Sequence, residues 1–129
     1  MGPEDMWQPP QVQLDSSRPL YEQFADLIRS DLARGRLLPG QRLPSIRELA
    51  AYFRVNPNTV MRAYQDLERE GFVVTFRGQG TFVATDPQGI DKSRRILARG
   101  ALAQLDKVAQ SVGMTVDELI ALARRGDGK

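Results

Sequence analysis

The chain has 129 residues, 41% of them apolar and 26% charged, which suits one globular domain with a short extension and excludes a fibrous or disordered polypeptide. It contains no cysteine and no histidine, which excludes disulfides, Cys/His zinc sites, cysteine nucleophiles and any His-dependent triad. The net charge of +2 hides a gradient: −3 over residues 1–17 (three acids, no base), +3 over 18–83 (ten Arg, seven acids), and +2 over 84–129 (eight bases, six acids).

Residues 1–15 read as a loose lead-in. The stretch Met1 to Pro10 is acidic and Pro-containing, unlike a secretory signal. Trp7 stands alone there among Pro and Gln, and alternation at Val12 and Leu14 suggests a short extended segment. A helix is expected next, with Ser17 as its cap and Pro19 in its first turn. Leu20, Phe24, Leu27, Ile28 and Leu32 form its apolar stripe, and Gly35 ends it. Pro39-Gly40 marks a turn, with Leu37, Leu38 and Leu43 as buried anchors.

A second helix opens on a capping box, in which the Ser45 hydroxyl reaches the Glu48 amide and the Glu48 carboxylate reaches back. Its inner face is Ile46, Leu49, Ala50 and Phe53. After a short turn at Arg54-Val55, Asn56 caps a third helix and Pro57 presets its first position. Val60, Tyr64 and Leu67 make the inner stripe, and Gly71 closes the helix. A short helix, a tight turn and a second, strongly marked helix are the grammar of a helix-turn-helix. Asn58, Thr59, Arg62 and Gln65 point away from the inner stripe and are side chains that read base edges and phosphates. A merely solvated face would favour Glu and Lys.

Phe72–Phe76 and Thr81–Val83 are β-branched and aromatic runs around Arg77-Gly78-Gln79-Gly80. They predict a hairpin, and a hairpin in this position is a wing whose tip offers Arg77, Gln79 and the close backbone approach of Gly80. Asp86-Pro87-Gln88-Gly89 reads as a linker over residues 85–90. Beyond it Leu97, Ala101, Leu105, Val108 and Val112 keep helical spacing. A second capping box, Thr115 to Glu118, opens a last helix with Leu119 and Ile120 on its apolar side and Gly126 at its end. Two such helices are too small to form a core alone, so they read as a dimerisation module over residues 91–126, with packing back onto the winged part as the alternative.

These motifs resemble the GntR family of bacterial transcription regulators. Pro19-Leu20-Tyr21-Glu22-Gln23, the run Leu38 to Ala50, Val55 to Val60 with Arg62-Ala63-Tyr64, and Gly78 to Val83 carry the likeness, which spans about residues 18–84. The short two-helix tail is similar to that of the YtrA subfamily. The resemblance implies a mainly α winged helix-turn-helix domain over residues 16–84 and a small β-hairpin, followed by the tail. It implies no cofactor: a sister subfamily carries an aminotransferase-like domain for pyridoxal phosphate, and this chain ends too early for one. It implies that Arg47 contacts DNA, and that Ser45, Asn56, Asn58, Thr59 and Arg62 sit where the recognition helix meets the duplex, with Arg77, Gln79 and Gly80 at the wing tip. Relatives from other subfamilies carry Arg where this chain has Pro57 and Met61, so base readout rests more on Asn58, Thr59 and Arg62.

The expectation is therefore a cytoplasmic, homodimeric repressor that binds a palindromic double-stranded operator without metal, cofactor or membrane. No residue marks an effector ligand. The competing reading is a winged-helix protein-interaction module, against which stands the Asn, Thr, Arg and Gln composition of the third helix's outer face. An enzyme would need paired carboxylates, and the nearest pair, Asp66 and Glu70, lies on a solvated helix end.

Overall fold

A computed structural model describes residues 6–126 and divides at Arg94, the residues up to there forming one compact unit and those from Arg95 a second. In the first, α1 (Leu20–Arg34) and α2 (Ile46–Phe53) both pack on α3 (Pro57–Arg69). A three-stranded antiparallel sheet follows, in the order β1 (Arg42–Leu43), β3 (Gly80–Val83), β2 (Val73–Phe76). Register pairs Arg42 with Phe82 and Leu43 with Thr81 on one side of β3, and Val74 with Phe82 on the other. The core comprises Phe24, Ile28 and Leu32 of α1, Leu49 of α2, Val60, Ala63 and Leu67 of α3, and Leu37, Leu43, Phe72, Val73 and Val83 from the connections and strands. These positions follow the 3.6-residue period in the helices, and Val73 and Val83 are cross-strand partners on the sheet's covered face.

Local signals set the ends. Gly35 closes α1 in the left-handed conformation, where a Cβ is disfavoured. Both capping boxes form as written in the residues, with Glu48 N donating to Ser45 Oγ at 3.0 Å and Ser45 N to Glu48 Oε1 at 2.8 Å, and the same pattern at Thr115 and Glu118. Asn56 Oδ1 accepts from Asn58 N at 2.8 Å, and Pro57 is the first residue of α3.

Four expectations are corrected. Ser17 does not cap α1: the helix begins at Leu20 with Pro19 in the cap position and no side-chain cap. The Ser17 amide and hydroxyl instead donate to Asp15 Oδ1, and the buried Gln23 side chain folds back onto Asp15 and Arg18. Leu38 is no buried anchor but 58% exposed, because the turn into Pro39-Gly40 points it outward while Leu37 turns in. Residues 89 and 90 are helical, since α4 (Gly89–Ser111) starts there, so the turn is confined to the stretch just before it. Its first residues dock: Ser93 is fully buried, Lys92 Nζ donates to the Glu70 carbonyl, and Arg94 Nε donates to the Ala33 carbonyl at 3.2 Å. Finally, Trp7 is not loose. It is 4% exposed, its indole N–H donates to Asp31 Oδ2 at 2.7 Å, and its backbone N–H donates to the Arg42 carbonyl at 2.9 Å.

The second unit holds the rest of α4 and α5 (Val116–Arg125), joined by a turn at Gly113 in the left-handed conformation. Ala109 is fully buried. Leu105, Val108 and Val112 are exposed, with Ala101 on the same helical spacing, whereas Leu97, Leu119 and Ile120 are half-buried.

Candidate nucleic-acid interface

The α2–α3 pair is held as a unit from within. Tyr64 donates its hydroxyl to the Pro44 carbonyl at 2.6 Å, tying the middle of α3 to the start of α2. Burial pushes the Tyr64 phenol far above its ordinary range, and the Glu48 charge adds to this, which favours the protonated hydroxyl that donates this bond. At the far end, Arg29 of α1 grips Glu70 with bonds of 2.7 to 3.1 Å, which fixes the C-terminal end of α3. Arg54 joins the two helices in the left-handed region at φ 58°, the one non-glycine residue with positive φ among those described.

This frame turns one face of α3 outward. Asn58, Arg62 and Gln65 are exposed and Thr59 is half-buried. Asn56 is exposed; its side-chain oxygen spends one lone pair on the Asn58 amide, and its NH2 group is left to donate to a ligand. Ser45 likewise spends an acceptor lone pair on Glu48 and keeps its hydroxyl hydrogen to donate. Arg47, in the first turn of α2, is exposed. The wing tip turns at Arg77-Gly78-Gln79, closed by the Gln79 amide donating to the Phe76 carbonyl at 2.9 Å, and Arg77 and Gln79 are exposed. Gly80 sits at φ 124°, which side-chain-bearing residues rarely adopt.

Among the described residues, Arg47, Arg62 and Arg77 enter no ion pair, whereas Arg18, Arg29 and Arg69 are each matched to a carboxylate on α1 or α3. Unmatched guanidinium groups beside amide and hydroxyl donors make a surface complementary to phosphates and base edges. No cluster of carboxylates able to hold a metal occurs among the described residues.

Three residues of this surface escaped the reading of the sequence. Tyr21, at the start of α1, lies under Arg62 with the guanidinium carbon 3.8 Å from its ring centroid, a contact worth about 0.5–1 kcal/mol at an exposed site. Arg42 and Arg54 are exposed cations at β1 and in the α2–α3 turn. Their signal was only the excess of Arg over residues 18–83, which does not say which Arg faces where.

The model of bacterial regulatory proteins of the gntR family matches residues 20–83, the stretch from α1 through the wing. The chain belongs to this family. It is 44% identical over 108 residues to the HTH-type transcriptional regulator YhcF of Bacillus subtilis, covering 84% of this chain and 89% of YhcF. It is 37% identical over 111 residues to the HTH-type transcriptional repressor YtrA of the same organism, covering 84% and 85%. Likeness to YtrA over 84% of this chain and 85% of YtrA places this gntR protein in the YtrA subfamily, and its relatives are transcriptional regulators, not enzymes. A GntR family transcriptional regulator from Listeria monocytogenes superposes with a TM-score of 0.71 at 29% identity, covering 88% of this chain and all of that one. The AraR DBD in complex with operator ORE1 superposes on 57% of this chain and 93% of its own, with a TM-score of 0.50 at 37% identity. The winged helix-turn-helix is thus the DNA-binding domain of a gntR-family regulator.

Proposed function

We propose that this regulator is a homodimeric, cytoplasmic repressor that reads a palindromic operator with the outward face of α3. The observation that carries the reading is the polar, unpaired surface of Asn58, Thr59, Arg62 and Gln65, flanked by Arg47 and the Arg77–Gln79 wing tip. In a two-fold dimer, α3 and its copy enter successive major grooves about 34 Å apart, and each wing tip meets the backbone or the minor groove beside them. Ser45 and Asn56 position the helix starts and donate to phosphates, while Asn58, Thr59 and Arg62 face base edges. Dimerisation is assigned to the tail, where Ala101, Leu105, Val108 and Val112 form an exposed row and Leu97, Leu119 and Ile120 border it half-buried. An apolar row of this kind is covered in a stable regulator. Repression rather than activation is supported by the relative YtrA, which is a repressor. No helix among the described residues is long and apolar enough to cross a membrane, in keeping with a regulator that works on DNA.

The test is selection of bound sites from random duplex DNA, followed by filter binding of Arg47→Ala and Arg62→Ala to the selected site. A palindromic consensus with half-sites one helical turn apart is expected, with both variants weaker and still folded. A dimer neutralising about six to ten phosphates loses about three to five decades of affinity between 50 and 200 mM salt. Wild-type affinity in both variants refutes the assignment of the reading surface.

A further inference from the structure

We infer that Arg42 is a further DNA-backbone contact, an arginine on β1 that bridges the helix-turn-helix and the wing. This rests on the DNA-binding reading above and adds a residue to it.

Three observations place the group. Its backbone is clamped from both sides: β3 pairs with it through Phe82, and the N-terminal segment pairs with it through Met6 and the Trp7 amide. Its side chain is exposed and crosses to the wing, where Nε lies 3.4 Å and Nη2 3.7 Å from the point a Cβ on Gly80 would occupy. Gly80 therefore leaves room for a guanidinium at the base of the wing tip. On its other side Arg42 is felt by α2: its charge adds to the Ser45 hydrogen bonds that hold the Glu48 carboxyl below its usual range. Arg42 thus stands between the α2 start, with Ser45 and Arg47, and the wing tip, with Arg77 and Gln79.

Among the described residues Arg42 has no ion pair and no side-chain hydrogen bond, and Glu48 Oε1 accepts from the Ser45 amide at the cap instead. A planar fork held open on a rigid strand suits bidentate capture of a phosphate. A duplex that meets both α2 and the wing must run its backbone past the strand between them.

The experiment uses the full-length protein and a duplex selected by the wild type. Affinity is measured from 50 to 400 mM salt for wild type, Arg42→Gln, Arg42→Met and Arg42→Lys. Losing one phosphate contact per protomer, two per dimer, makes the log–log salt slope shallower by about 1.8, which is about 60-fold in affinity at 0.1 M relative to 1 M. The neutral variants are expected to show that change with an unaltered thermal midpoint, and Lys to restore most of the slope. A neutral variant that binds with the wild-type slope overturns the inference, as does a loss of affinity at constant slope with a lowered thermal midpoint, which marks a brace for the wing. If wild type binds no duplex, the regulator reading falls, and this inference with it. Two neutral replacements of different shape keep the test decisive should one fail to fold.

Discussion

Replacing Trp7 by Phe tests whether the N-terminal segment is part of the folded unit. Trp7 is 4% and Asp31 5% exposed, and the indole N–H meets Asp31 Oδ2 at 2.7 Å. Phenylalanine keeps most of the buried ring but deletes the donor and leaves a small void. A buried acceptor stripped of its partner costs about 1–3 kcal/mol, and the lost volume adds about 1 kcal/mol. The sum, about 2–4 kcal/mol, is a large share of the stability of a small domain. Followed by circular dichroism, the thermal midpoint of Trp7→Phe should fall by about 10 °C or more. The urea midpoint should fall at constant slope, since the surface exposed on unfolding is nearly the same. The companion variant is Asp31→Ala, which removes the acceptor, alone and combined with Trp7→Phe. Contact between the two side chains requires non-additive losses, with about 1 kcal/mol or more of coupling. A shift below about 2 °C for Trp7→Phe, or strict additivity in the cycle, refutes the docking and the energetics drawn from it.

Arg54→Gly should raise the thermal midpoint, because glycine adopts the left-handed conformation at φ 58° without the Cβ penalty of about 1–2 kcal/mol, less its own entropic cost of about 0.5–1 kcal/mol; a lowered midpoint contradicts this. The Glu48 carboxyl is held below its usual range first by the Ser45 amide and then by the Ser45 hydroxyl. Its contribution is therefore complete above the unfolded carboxylate pKa and fades as the pH drops through the lower folded value. Below about pH 4.5, Glu48→Gln should lose stability less steeply than wild type, read from thermal midpoints over a pH series. Leu105→Asp with Val108→Asp should leave a monomer of unchanged helix content in sedimentation velocity, and persistence of a dimer refutes the assignment of the tail.

What the residues declared openly were the features with local causes. Ser45 with Glu48, Thr115 with Glu118, Asn56 with Pro57, and Gly35 each specify a helix end within four residues of chain, and each formed. The hairpin was equally legible, since its alternation and its glycine turn lie side by side. Features that depend on distant partners were not. Trp7 is 24 residues from Asp31, and Tyr21 is 41 residues from the Arg62 it supports. β1 is two residues long and has no pattern of its own; it is a strand because β3 runs beside it. Leu38 misled for the opposite reason: three leucines near one turn look alike until the turn decides which faces inward. At Ser17 a nearer competitor, Asp15, took the hydrogen bonds a cap would have made. In the candidate interface, helix periodicity named Asn58, Thr59, Arg62 and Gln65 and the family resemblance named Arg47, but the separation of Arg47 and Arg62 from the ion-paired arginines needed the acids' positions in space.

Because the protein has one tryptophan, and that one is sealed against α1, its ultraviolet emission is a built-in optical reporter of the N-terminal segment. A blue-shifted spectrum signals a docked segment, and a red shift signals release of the edge of β1 without global unfolding. Operator or small molecules titrated into unlabelled protein would therefore reveal whether the segment stays in place when the neighbouring wing is engaged.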